Sequence, residues 1–101
     1  MIGLHTTERD GWIWLSVDGA LHHDTAAQLQ RRLDDLADEG RVRVVLDVRP
    51  GASVDFDALV TLVLSRNRLR REGGELLLRA PSADLNRLLE LTGLTDLIEV
   101  V

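Results

Sequence analysis

Apolar positions along this chain change period several times, and each change marks a new element. Ile2 to Glu8 alternates loosely and predicts a strand. Arg9-Asp10-Gly11 is a tight-turn signal, because Asp-Gly tolerates positive φ. Trp12 to Val17 then alternates with period two: Ile13, Leu15 and Val17 point one way, Trp12, Trp14 and Ser16 the other. The two strands predict a hairpin. From Ala26 the period becomes helical, with Ala26, Leu29, Leu33 and Leu36 on one face. Asp24 or Thr25 is the expected cap, and Thr25-Ala26-Ala27-Gln28 fits a capping box. Gly40 is the expected stop.

Val42 to Val48 is a β-branched run of the kind found in strands buried on both faces. Arg49-Pro50-Gly51-Ala52-Ser53 reads as a turn. Asp57 to Arg71 predicts a second helix, stopped by Gly73-Gly74. Glu75 to Ala80 predicts a strand, and Pro81-Ser82 opens a third helix that runs to about Thr92 and stops at Gly93. Leu97 to Val101 closes the pattern as a short strand. The order β-β-α-β-α-β-α-β predicts a single α/β domain over residues 1–101. Its mixed sheet should be largely parallel, with helices mainly on one face and the other face more open.

Composition narrows the function classes. The chain has 101 residues, 45% of them hydrophobic and 29% charged, an ordinary soluble profile for one domain. It has no cysteine, so disulfides, thiol catalysis and cysteine metal sites are excluded. All 12 basic residues are arginine, which removes Schiff-base chemistry and the phosphate-loop lysine. The net charge of −5 argues against nucleic acid as the main partner. No apolar run approaches the roughly 20 residues that span a bilayer, and nothing resembles a signal peptide. Membrane insertion is not expected, and a cytoplasmic location is the default. No cofactor motif is present.

The most informative stretch is Val54-Asp55-Phe56-Asp57-Ala58-Leu59, where a turn meets a helix. Free N–H groups and the positive end of the helix dipole make such a junction suitable for anions. Here it holds two fixed carboxylates and the chain's one phenyl ring. Asp57 reads first as an N-cap. Phe56 reads either as a staple packing back near Val60, or as an exposed anchor for a partner. Val60 and Leu64 continue the line from Phe56, apart from the stripe of Leu59, Leu62, Val63 and Leu69 that should face the sheet. A second apolar stripe exceeds what one buried face requires. The Asp-x-Asp pair also suggests an aspartyl phosphohydrolase, but it follows a Pro-Gly turn rather than emerging from a strand, and no lysine accompanies it.

Other candidates have plainer readings. His22-His23-Asp24 fits no metal-ligand spacing, so loop polarity and capping are expected there and no metal. Trp12 and Trp14 share a strand face, either as a cover for the open side of the sheet or as a dimer surface. Arg66, Arg68, Arg70 and Arg71 complement the negative end of the second helix.

Five segments in order resemble the STAS family of sulfate-transporter and anti-sigma-factor-antagonist domains. Gly19-Ala20-Leu21 followed by Thr25-Ala26 resembles its "G-E-L-D-x-x-T-A" loop. Val44-Val45-Leu46-Asp47-Val48 resembles its central "(V/I)-V-L-D-L" strand. Asp55-Phe56-Asp57-Ala58-Leu59 stands where the family has "D-S-S-G-L". Gly73-Gly74-Glu75-Leu76 matches "G-G-x-L", and Arg87 to Leu94 resembles "R-x-L-x-x-(T/S)-G-L". The resemblance spans about Trp12 to Val101.

Anti-sigma-factor antagonists of this family bind an anti-sigma kinase and are released when the second Ser of the pair is phosphorylated. The resemblance places Asp55 on the leading Asp, Phe56 on the first Ser, Asp57 on the phosphorylated Ser and Ala58 on the Gly. Neither Phe56 nor Asp57 has the hydroxyl, and Val60 and Leu64 add bulk at positions that are small in the family. The family often has Asp where His22 stands. Asp57 then gains two readings beside the cap: a fixed imitation of phosphoserine, with about one charge against ~1.5 to 2, or drift at a disused site. The resemblance implies a non-catalytic protein-interaction module whose partner surface is Asp55 to Val60, Leu64, and His22 to Asp24. Its partner would be an anti-sigma kinase or another STAS-containing protein, with a homodimer through the tryptophans as a further option. The alternative role is a scaffold or partner subunit in a sensory or transport complex.

Overall fold

The hairpin starts the sheet. The structure, a computed structural model, describes residues 2–49, 53–79 and 83–94. β1 (Gly3–Arg9) pairs antiparallel with β2 (Trp12–Asp18), closing on the pair Arg9↔Trp12. Asp10 and Gly11, the two loop residues, both have positive φ (53° and 83°). That is the backbone of a primed turn, whose twist matches the strands it joins. α1 (His23–Asp38) leads to β3 (Arg43–Val48), and α2 (Phe56–Arg71) leads to β4 (Glu75–Arg79). β3 pairs parallel with both β2 and β4, giving the strand order β1-β2-β3-β4. α3 (Ala83–Thr92) follows β4. The predicted turn at Pro50 to Ala52, the opening Pro81-Ser82 and the final strand at Leu97 to Val101 lie outside the described residues.

The core lies on one side of this sheet. Ile13, Leu15, Val17, Val44, Leu46, Val48, Leu76 and Leu78 form a single cluster with the buried stripes of all three helices. Val45 points to the other side and is still buried, because Trp14 and Leu77 stand beside it in register. β3 is thus covered on both faces, as its unbroken apolar run predicts.

Gly73 and Gly74 do different jobs. Gly73 (φ 87°) ends α2: its N–H donates to Arg70 O and the Gly74 N–H to Leu69 O, a Schellman pair that needs the left-handed conformation. Gly74 has no positive φ but no room either, since a Cβ there would overlap the Val42 carbonyl. The closeness arises because Glu75 N–H donates to that carbonyl at 2.9 Å, which starts β4 against β3.

Candidate functional site

Two loops meet at the carboxyl ends of β2 and β3. Leu21, after β2, and Val54, after β3, form an isolated parallel bridge. Leu21 N–H donates to Ser53 O at 2.8 Å and Asp55 N–H to Leu21 O at 3.1 Å. Both apolar side chains are buried, so the bridge anchors the loops in the core and leaves polar side chains around it in solvent. It brings the His22 to Asp24 segment against the start of α2, which lies more than 30 residues away in sequence.

Asp55, not Asp57, caps α2. The Asp55 Oδ1 accepts the Ala58 N–H at 2.9 Å, and Asp55 has extended backbone angles. The bridge decides this position, because Asp55 N–H is still bonded to Leu21 and the helix begins immediately after it. Asp57 therefore falls in the first turn, largely exposed, with its Oδ2 at 3.3 Å from His23 Nδ1. Its charge still meets the positive end of the helix dipole.

The same shift removes Phe56 from the staple role. It is the first helical residue and 57% exposed. The staple positions on either side of the cap belong to Val54 and Leu59, both buried in the core cluster. Ala58 is also buried, so two members of the expected partner surface, Ala58 and Leu59, support that surface from beneath. Val60 (41% exposed) and Leu64 (53%) extend the exposed line from Phe56.

α1 starts two or three residues earlier than the sequence suggests. His22 is its N-cap, and Thr25, expected to open a capping box, instead closes one: Thr25 Oγ1 accepts the His22 N–H at 2.9 Å. The Thr25 hydroxyl also donates to Ala20 O at 2.6 Å. Asp24 lies exposed in the first helical turn. The adjacent histidines diverge: His22 Nε2 lies 2.9 Å from Ser53 Oγ, and His23 turns to Asp57. Among the described residues, no three acidic or histidine side chains gather as a metal site would require. Ser53, the exposed hydroxyl beside His22, was not singled out by the sequence. Only the Leu21–Val54 bridge brings it to the site.

The start of α2 thus carries a capping Asp55 and a loop zipped to the turn before α1. A comparison with family descriptions matches residues 4–101 to the STAS domain. The chain belongs to the STAS family. Solved structures agree in fold. A protein from Thermotoga maritima superposes with a TM-score of 0.85 at 21% identity, covering 96% of this chain and 84% of its own. An anti-sigma factor antagonist from Mycobacterium paratuberculosis gives 0.82 at 22% identity, covering 99% and 85%. The anti-sigma factor antagonist SpoIIAA in its unphosphorylated form gives 0.78 at 14%, covering 100% and 88%. No curated protein sequence matches.

Elsewhere in this STAS domain the remaining candidates separate. The Trp12 and Trp14 rings are half-buried on the sheet face away from the helices. The domain's own arginines lie over Trp14, with the Arg9 guanidinium 4.6 Å and the Arg79 guanidinium 5.2 Å from its ring centroid. These are cation–π distances. Arg68 does more than complement the helix dipole. It reaches across to α1 and donates to Asp38 Oδ1 at 2.6 Å and Asp34 Oδ1 at 2.8 Å. Those two hydrogen bonds, Asp38 first, hold its pKa above the usual arginine value. No helix of the described residues is long and apolar enough to cross a membrane.

Proposed function

We propose that this STAS domain is a non-catalytic protein-interaction module of the anti-sigma-factor-antagonist type, working in the cytoplasm of a bacterium. Its docking surface is the exposed start of α2, Phe56, Asp57, Val60 and Leu64, with His22 and His23 from the facing loop. The observation that carries this reading is the ridge Phe56-Val60-Leu64: three large apolar side chains, each 41–57% exposed, in line on one helix. A single domain rarely leaves such a line in water without a use for it. The Asp55 carboxylate is committed to its cap, which speaks against a hydrolytic Asp pair.

Asp57 supplies a permanent charge at the position where the resemblance places the family's phosphorylated serine. On this reading the partner is an anti-sigma kinase whose binding is not switched by phosphorylation at residue 57. Asp57→Ser restores a neutral hydroxyl at the same exposed place. Binding of the native and Asp57→Ser proteins to candidate anti-sigma kinases, measured by calorimetry, tests the role of the charge. Gain of binding by Asp57→Ser identifies the native carboxylate as a fixed imitation of phosphoserine, and unchanged binding rejects that imitation. Incubation with kinase and ATP followed by peptide mass mapping tests the rest. Phosphate on residues 55–59 would contradict the reading, since none carries a hydroxyl, and Ser53 is the exposed hydroxyl to watch beside them.

A further inference from the structure

The apolar ridge does not end at Leu64. At about 100° per residue, Phe56, Val60, Leu64, Asn67 and Arg71 all fall within an arc of roughly 80° on α2, with Arg70 on its flank. The first half of this face is apolar and the last turn is basic. Arg66, Asn67, Arg70 and Arg71 line a shallow cleft of about 420 Å³ at that end. The charge there is unbalanced. Arg66 Nε lies 3.6 Å and Arg70 Nε 3.7 Å from the Glu75 carboxylate, so these two share one acid. Arg66 is buried, and its Nε makes no hydrogen bond. Arg71 is exposed and, among the described residues, has no acidic partner. Arg68 is taken by α1. Two guanidiniums thus share the Glu75 carboxylate, Glu72 is engaged by Arg68, and Arg71 adds a positive charge with no acidic partner among the described residues, on a chain whose net charge is −5.

We propose that α2 docks an amphipathic helical segment of a partner protein that carries acidic side chains at the end lying over Arg70 and Arg71. This rests on the reading of α2 as the docking surface and adds the partner's chemistry and direction. α2 has 16 residues and is about 24 Å long, enough for four turns of a partner helix. Carboxylates on the end turn of that helix meet the arginines, while its apolar stripe covers Phe56, Val60 and Leu64. A second copy of this chain fits less well. A two-fold axis through Val60 sets Phe56 against Leu64 but leaves Arg71 facing beyond the helix start at Phe56. An axis through Leu64 sets Asp57 against Arg71 but puts Phe56 against Glu72. Neither axis satisfies the ridge and the arginines together.

The test is a selection of displayed 16-residue peptides against three proteins: native, Leu64→Asp and Arg70→Glu/Arg71→Glu. Peptides enriched on the native protein should combine apolar i, i+3, i+4 spacing with Asp or Glu clustered at one end. They should lose binding to Leu64→Asp and weaken roughly tenfold on the double variant at low salt, the difference shrinking as salt is raised. Replacing the peptide acids by lysine should restore binding to the double variant. Peptides that need Leu64 but are neutral, or that ignore the double variant, overturn this inference and leave the docking surface standing. Absence of any Leu64-dependent peptide overturns both. A native dimer that Leu64→Asp dissociates names the second copy as the occupant and also overturns it. Circular dichroism and the milder Arg70→Gln/Arg71→Gln variant separate lost charge from lost fold.

Discussion

Removing the carboxylate of Asp55 should destabilise this domain more than removing that of Asp57, although the two are neighbours on the same helix start. Asp55→Ala deletes the acceptor of the Ala58 N–H, which lies 2.9 Å from Asp55 Oδ1. Ala58 is 1% exposed, so its orphaned N–H has little access to water. Loss of an N-cap costs about 1 kcal/mol, and an unsatisfied buried donor raises this toward ~2 kcal/mol. Asp57→Ala removes an exposed partner of His23 and a favourable charge near the dipole, together about 0.5 kcal/mol. Urea unfolding followed by circular dichroism separates them. With a slope near ~1.5 kcal/mol/M, the midpoint should fall by about 1 M for Asp55→Ala and about 0.3 M for Asp57→Ala. Asp55→Asn should recover most of the loss, because asparagine caps nearly as well. An Asp57→Ala shift equal to or larger than that of Asp55→Ala would refute the cap assignment and the helix start derived from it.

Gly74→Ala should cost about 3 kcal/mol in the same assay, since the added Cβ drives into the Val42 carbonyl. Gly73→Ala, which meets open space but keeps a φ of 87°, should cost only about 1 kcal/mol. Leu59→Ala, at a fully buried position, should lose ~2–5 kcal/mol, whereas Val60→Ala next to it should lose under about 1 kcal/mol; equal losses would contradict the separation of core and ridge on α2. Arg68→Ala should lower the thermal midpoint at low salt, with the gap to the native protein narrowing in high salt as the α1–α2 ion pairs are screened.

The fold was legible because its signals are local and repeat. Period-two alternation at Ile13, Leu15 and Val17 places one strand face, and helical spacing at Leu29, Leu33 and Leu36 places one helix stripe. The order of those patterns restricts the sheet topology. The helix starts were less legible. Asp55 and Asp57 are both good caps by composition, and Asp24 and Thr25 compete in the same way. What places the caps at Asp55 and at His22, outside that second pair, is the pairing of Leu21 with Val54, a contact across more than 30 residues that no local pattern announces. Ser53 and the divergence of His22 and His23 follow from that bridge for the same reason.

Arg68 shows the same division. Its sequence position suggests a helix-dipole role, and only the packing of α2 against α1 shows it gripping Asp34 and Asp38. The sequence by itself determined the element order, the core stripes, the absence of a hydroxyl at residue 57 and the surplus apolar line Phe56-Val60-Leu64. These depend on residue type and spacing alone. Only the tertiary structure decided which carboxylate caps α2, which arginines are committed to acids, and how the apolar line runs into the basic last turn of the helix. Those outcomes depend on distances between segments far apart in the chain, which periodicity does not encode.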